Sequence, residues 1–158
     1  MSHPSCFAVQ VEILDDCEFV TRKWKDVKVG DIVRVKKNNE FCADLVIFYS
    51  TVNDGVCYIE TSNLDGETNM KVKKGIENLG IEHPDDMHRL VGSMECELPN
   101  NSLYTFEGRL QIGNHAISIG PSSLALRGCS LRNTEYIIGG VVFTGHDTKV
   151  MMNTRDHP

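Results

Sequence analysis

The sequence has no apolar run long enough to cross a membrane. Its longest, Tyr136 to Phe143, contains two glycines and falls far short of the roughly 20 residues a spanning helix needs. The opening Met-Ser-His-Pro has no cationic stretch leading into an apolar one, so no signal peptide is read there. Positive charge is in deficit, 16 Lys and Arg against 22 Asp and Glu for a net charge of -6. That argues against nucleic acid or an anionic lipid surface as the partner, because both reward a basic face. Lys71, Lys73 and Lys74 form a local basic patch, read as a solvated face. The six cysteines (Cys6, Cys17, Cys42, Cys57, Cys96, Cys129) include no C-x-x-C pair, and without a signal peptide they read as free, mostly buried thiols. The six histidines (His3, His83, His88, His115, His146, His157) show no H-E-x-x-H and no metal-ligand spacing with cysteine. No P-loop and no G-x-S-x-G occurs.

What is present is a chain of 158 residues, 41% hydrophobic and 24% charged, a size and composition that suit one compact domain. Its texture is short β runs between turn residues. Val9, Val11 and Ile13 alternate with polar neighbours, as in a half-buried strand. Trp24 to Val35 reads as a β segment interrupted at Gly30-Asp31. Leu45 to Tyr49 is continuously apolar, as expected of a strand covered on both faces. Asn53-Asp54-Gly55 is a hairpin-type signal before a strand at Val56 to Ile59. Further strands are predicted at Met70 to Lys73, Leu103 to Phe106, Leu110 to Ile112, Ile117 to Ile119, Leu124 to Leu126 and Ile137 to Phe143. Gly139-Gly140 reads as a bulge or a close backbone approach. Helices are predicted only at Pro84 to Val91, with proline and acids early and cations late, and from Asp147 to Asn153. Such a pattern suggests a sandwich, barrel or jelly roll.

Glu60 to Asn69 is the densest cluster of polar functional groups. It lies between two predicted strands, which makes it an exposed connection of the kind that carries catalytic groups. Gly66 admits backbone angles closed to other residues and a close approach to a ligand. Asp65 and Thr68 are suited to brace the turn through side-chain-to-backbone bonds, with Asn63 supporting the loop. Glu67 then projects at the tip, and a carboxylate there can accept a proton from water. On the residues alone, an ordinary D-G turn stays open. An EF-hand fails, because Thr61 and Val72 stand where calcium needs its first aspartate and closing glutamate. A hydrolase built on Asp65 and Glu67 as paired carboxylates is disfavoured, since two residues on one tight turn do not flank a scissile bond.

Asp65-Gly66-Glu67-Thr68 resembles the actuator-domain loop of type IV P-type ATPases, the phospholipid flippases. Five flanking blocks occur in the family's order. They are Trp24 to Val33, Ala43 to Leu45, Cys96 to Asn100 with Leu103 to Gly108, Leu126 to Thr134, and Val142 to Lys149. Cation pumps carry T-G-E at this loop, whereas D-G-E-T points to the lipid-transporting class. Cys42 stands where flippases usually have proline, and Met70 where leucine is expected.

The resemblance implies a mainly β fold, a distorted jelly roll or double-stranded β-helix-like domain with one or two short helices. It implies an actuator over residues 7–153, a cytosolic segment between membrane helices 2 and 3 of its parent, with residues 1–6 and 154–158 as linkers. Glu67 would position and deprotonate the water that attacks an aspartyl phosphate on a separate domain, while Asn63, Asp65, Gly66 and Thr68 shape the loop. The segment itself would bind no metal, nucleotide or other cofactor and would be inactive alone. Mg²⁺ and ATP would serve the parent enzyme, whose phosphorylation and nucleotide-binding domains are the expected partners. Phospholipid would be its substrate, and an accessory β-subunit common to flippases is a further partner. The alternative is a flippase-like regulatory or interaction module without transport activity.

Overall fold

The computed structural model describes residues 10–77, 79–90 and 92–155. The expectations for Val9, Cys6, Val91, His3, His157 and residues 1–6 lie outside the described residues. Among the described residues twelve strands run in order: β1 (Gln10–Asp15), β2 (Glu18–Lys23), β3 (Ile32–Lys36), β4 (Asp44–Ser50), β5 (Val56–Glu60), β6 (Lys71–Lys74), β7 (Ser93–Cys96), β8 (Gly108–Ile112), β9 (His115–Ile119), β10 (Leu124–Ala125), β11 (Ser130–Arg132) and β12 (Tyr136–Phe143). Two short helices, α1 (Ser62–Asp65) and α2 (Lys149–Arg155), complete the regular elements with a few 3-10 turns. The architecture is therefore mainly β, as expected from the sequence. Six strands form the largest sheet in the order β10-β4-β12-β3-β1-β2, and two smaller sheets have the orders β11-β5-β6 and β7-β8-β9. Every strand pair is antiparallel.

Strands β4 and β12 carry the long apolar runs Leu45 to Tyr49 and Tyr136 to Phe143, and both their faces are covered. Leu45, Ile47, Ile137 and Val141 enter one core with Cys57, Ile59 and Leu131 of the β5 sheet. Val46, Phe48, Ile138 and Val142 enter a second core with Leu110 and Ile119 of the β8 sheet. The period of two along a strand sends neighbours to opposite faces, so one run of residues feeds two cores. The pairing slips between Ile138 and Gly139, where Phe48 is the extra residue. A Cβ on Gly140 would lie 2.8 Å from the Phe48 ring, and one on Gly139 would lie 2.7 Å from the Val46 carbonyl oxygen. Both the bulge and the close approach read from Gly139-Gly140 are present.

Four sequence expectations need correction. Trp24–Asp26 is a 3-10 turn and only Ile32–Lys36 is strand, because Gly30 has φ 95° and the Asp31 carboxylate accepts the Lys28 amide at 2.8 Å. Asn53-Asp54-Gly55 closes no hairpin. It carries the chain from β4 in the large sheet to β5 in another. Leu103 to Phe106 is not a strand; beside it Asn100 accepts the Ser102 amide at 3.0 Å and Thr105 donates to the Ser102 hydroxyl at 2.6 Å. Pro84–Arg89 is 3-10 rather than α-helical.

One polar network centres on two buried side chains, Asp44 and Lys149. Asp44, at the start of β4, accepts the Arg127 amide at 2.9 Å and the Lys149 amide at 2.8 Å. The Lys149 side chain, 0% exposed, donates to Asn100 at 2.8 Å and lies 3.7 Å from Glu97. It thereby ties α2 to the 97–107 loop.

Replacing Gly139 with alanine is expected to destabilise the domain by about 1–3 kcal/mol, since the rigid Val46 backbone must shift, and urea unfolding measures it. Burial pushes the Asp44 carboxyl up to about 6 against the opposing pull of its two amide donors. The folded value lies above the unfolded one, so the stability it contributes is complete below about pH 4 and is lost as pH rises through about 6. The Asp44 side-chain carbon resonance is expected to titrate with a midpoint near about 6. A midpoint near 4 would contradict this account of its burial.

Candidate functional site

The loop that carries Glu67 leaves β5 and returns as β6, two strands that pair with each other. Between them Thr61 opens the single turn of α1, accepting the Leu64 amide at 2.8 Å and the Asp65 amide at 3.1 Å through its carbonyl. Gly66 ends that turn with φ 73° in the left-handed region, its amide donating to Ser62 at 2.9 Å. A Cβ built on Gly66 would meet nothing within 4 Å. Glycine is required here by backbone angle, not by crowding within the domain.

Asp65 fixes the backbone of the catalytic candidate. Its carboxylate accepts the Glu67 amide at 2.9 Å and the Thr61 hydroxyl at 3.0 Å. The Glu67 amide bond is the main cause that holds the Asp65 carboxyl below its ordinary value, with smaller help from Thr61 and Lys71. Asn63 donates to the Gly128 carbonyl at 3.1 Å, which fastens α1 to the segment before β11. Beneath the loop, Ser62 donates to Glu60 at 2.9 Å and Arg132 of β11 pairs with the same Glu60 at 3.4 Å. Glu67 itself stands out from this frame with its side chain 54% exposed, in an ion pair with Lys71. That pair raises the Lys71 ammonium above its usual range. Asp65, Asn63 and Gly66 are thus drawn into one brace around Glu67. Thr68 is exposed, and no hydrogen bond of its hydroxyl is among the side-chain bonds of the loop.

Sequence reading missed Thr61 and Lys71. Thr61 stands four residues before Asp65, a spacing that places both on one face of a helical turn. Lys71 stands four after Glu67, yet it belongs to a strand, so no helical rule pointed to it. The basic patch it belongs to is not one solvated face: Lys71 pairs with Glu67 and Lys74 with Glu77, while Lys73 donates to the Pro121 carbonyl at 2.9 Å.

Of the described cysteines, Cys17 and Cys96 are exposed and Cys42, Cys57 and Cys129 are buried. Burial pushes the Cys42, Cys57 and Cys129 thiols up to about 12, so they are packing groups and not thiolates. Among the described residues no three His, Cys, Asp or Glu side chains gather in a way that could hold a metal ion. No helix among them is long and apolar enough to cross a membrane. The arrangement offers a single exposed carboxylate on a rigid backbone with open space above the adjoining glycine.

The family described as P-type ATPase actuator domain matches residues 5–152. A probable phospholipid-transporting ATPase 4 of Arabidopsis thaliana is 51% identical over 144 residues, covering 90% of this chain and 12% of that protein. A phospholipid-transporting ATPase of Schizosaccharomyces pombe is 46% identical over 149 residues, covering 92% of this chain and 12% of its own length. The chain thus spans about an eighth of these relatives. Among solved structures, a zinc-transporting PIB-type ATPase in the E2.Pi state superposes with a TM-score of 0.51 at 10% identity, over 90% of this chain and 15% of that one. At that identity the likeness concerns the fold alone.

Removing the brace should loosen the loop without unfolding the domain. In Asp65→Ala, amide hydrogen exchange at Glu67 is expected to quicken about tenfold, the equivalent of one lost hydrogen bond to a charged acceptor, while the urea midpoint of the domain changes little.

Proposed function

The chain belongs to the P-type ATPase actuator-domain family, and from that premise we propose that it is the dephosphorylating actuator of a phospholipid-translocating ATPase. The observation that carries the reading is the placement of Glu67: an exposed carboxylate whose backbone is fixed by Asp65 and whose neighbour Gly66 leaves room for a phosphoryl group. Relatives named as phospholipid-transporting ATPases support the choice of substrate class.

In this reading the loop approaches an aspartyl phosphate carried on the phosphorylation domain of the same parent chain. Glu67 accepts a proton from a water molecule as the water oxygen forms a bond to phosphorus. The bond from phosphorus to the aspartate oxygen breaks in line, the aspartate leaves as a carboxylate, and inorganic phosphate is released. Holding the water in line and taking its proton are what this chain contributes. Asp65 keeps the Glu67 backbone from drifting, and Gly66 presents no side chain between loop and phosphate. Lys71 holds the carboxylate until docking and is then free to face the phosphoryl oxygens.

Mg²⁺ and ATP serve the phosphorylation step on the parent's other domains, and no residue of this chain is assigned to either. Hydrolysis is coupled to phospholipid movement from the outer to the cytosolic leaflet. The domain sits on the cytosolic face between membrane helices 2 and 3, and an accessory β-subunit is a partner of the parent. In the full-length parent, Glu67→Gln is expected to slow phosphoenzyme decay about 100-fold or more, the scale of a lost general base, and to stop lipid transport. Normal decay of the phosphoenzyme in that variant would refute the role given to Glu67.

A further inference from the structure

The loop of Glu67 rests on one short segment, residues 126–129. Asn63 of α1 donates to the Gly128 carbonyl at 3.1 Å. Leu64 lies over the same residue, its Cδ1 3.4 Å from where a Gly128 Cβ would stand. The segment is pinned on Phe41, which is 0% exposed. The Phe41 carbonyl accepts the Gly128 amide at 3.1 Å, and its amide donates to the Cys129 carbonyl at 2.9 Å. The seat of α1 is thus built on the core.

Arg127 joins this seat to the head of α2. Its amide donates to one oxygen of the buried Asp44 carboxylate at 2.9 Å, and the other oxygen accepts the amide of Lys149, the first residue of α2, at 2.8 Å. Its guanidinium donates to the Gly145 carbonyl at 3.2 Å, a carbonyl that also accepts the Thr148 hydroxyl at 2.8 Å. Gly145 opens the 3-10 turn Gly145–Asp147 that leads into α2. One residue therefore ties seat and helix twice, through its backbone and through its side chain.

The two ties differ in what their loss would do. Removing Asp44 would strand two amides in the interior. Removing the Arg127 side chain leaves the Gly145 carbonyl with Thr148. The guanidinium is also not spent on a surface ion pair, since it forms none among the described residues. Its bond is to backbone, and it links two segments that hold their own folds without it.

We propose that Arg127 is a positioning residue for the hydrolysis step: its side chain makes the 126–129 seat and α2 move as one piece, so that the loop of Glu67 follows α2. The inference rests on the reading of Glu67 as the residue that directs hydrolysis. The path runs from Gly145 through Arg127 and Gly128 to Asn63, and through α1 to Asp65 and the Glu67 backbone. In the placement proposed above the chain leaves α2 towards membrane helix 3, so the tie carries movement of that helix to the carboxylate. Arg127 is assigned no contact with the reacting atoms.

The test follows phosphoenzyme decay in the full-length parent. Arg127→Met keeps the apolar stem and removes the donor. It is expected to form phosphoenzyme in the wild-type amount and to slow its decay about fivefold, the scale of one lost hydrogen bond. Arg127→Lys still offers one donor to one carbonyl and is expected to decay within about twofold of wild type. Asn63→Ala cuts the path at its other end and is expected to slow decay about as much as Arg127→Met. Because both lie on one path, the double variant is expected to decay about as slowly as either single one, and not about 25-fold more slowly than wild type. Arg109→Ala, which removes an arginine paired with Glu95 in the β7-β8-β9 sheet, is expected to decay at the wild-type rate. With Glu67→Gln still stalled, the proposal is overturned by wild-type decay in Arg127→Met, by equal slowing in Arg127→Lys and Arg127→Met, or by additive slowing in the double variant. Absence of phosphoenzyme from Arg127→Met would mark a residue that the fold itself requires, and likewise overturns it. Normal decay in Glu67→Gln removes the reading of Glu67 and this inference with it.

Discussion

Strands β4 and β12 are covered on both faces, and the placement of the site depends on that constraint. Alternate residues of each strand enter opposite cores, so the β5 sheet packs on one side and the β8 sheet on the other. Two adjacent glycines in β12 are the consequence: at that crossing neither the Val46 carbonyl nor the Phe48 ring leaves room for a Cβ. The β5 sheet, held against this centre by Cys57, Ile59 and Leu131, carries the loop of Glu67 between its paired strands β5 and β6. A flexible hairpin would leave Glu67 undirected. Here the rigidity of the buried pair is handed through β5 to Thr61, Asp65 and finally the Glu67 backbone.

The polar groups divide by burial. Asp44 and Lys149 lie deep inside, where each has its partners satisfied, and they join β4, α2 and the 97–107 loop. Removing one member would strand the others without water, which makes the network a requirement of the fold. The loop polar groups are exposed or nearly so, and their hydrogen bonds fix direction more than they add stability. Buried polarity secures the frame, and the exposed polar groups aim the carboxylate.

Much of this was legible in the residues. The apolar run of β4 announced a strand covered twice, Gly139-Gly140 announced a bulge or close backbone approach, and Gly66 announced backbone angles closed to other residues. The ordered blocks around the loop identified the family. Other parts left no readable signal. Strands β2 and β7 are mostly exposed, so they have no apolar period to detect. Leu103 to Phe106 has the residue types of a strand but belongs to none of the strands among the described residues. Which sheet each strand joins depends on contacts between residues far apart in the chain, and the turn at Asn53-Asp54-Gly55 reads the same whether it closes a hairpin or changes sheets. The ion pair of Glu67 with Lys71 and the burial of Lys149 likewise exist only once the strands are placed.

Under the proposed role, the Glu67 carboxylate moves to a phosphoryl group held by the parent enzyme. A structure of the parent trapped with an aluminium fluoride mimic of that group measures it directly. The Glu67 carboxylate is expected within hydrogen-bonding reach, about 2.6–3.2 Å, of a water in line with the aspartate oxygen, with Lys71 released towards the fluorides. A loop turned away from the mimic, with Glu67 still paired to Lys71, would contradict it.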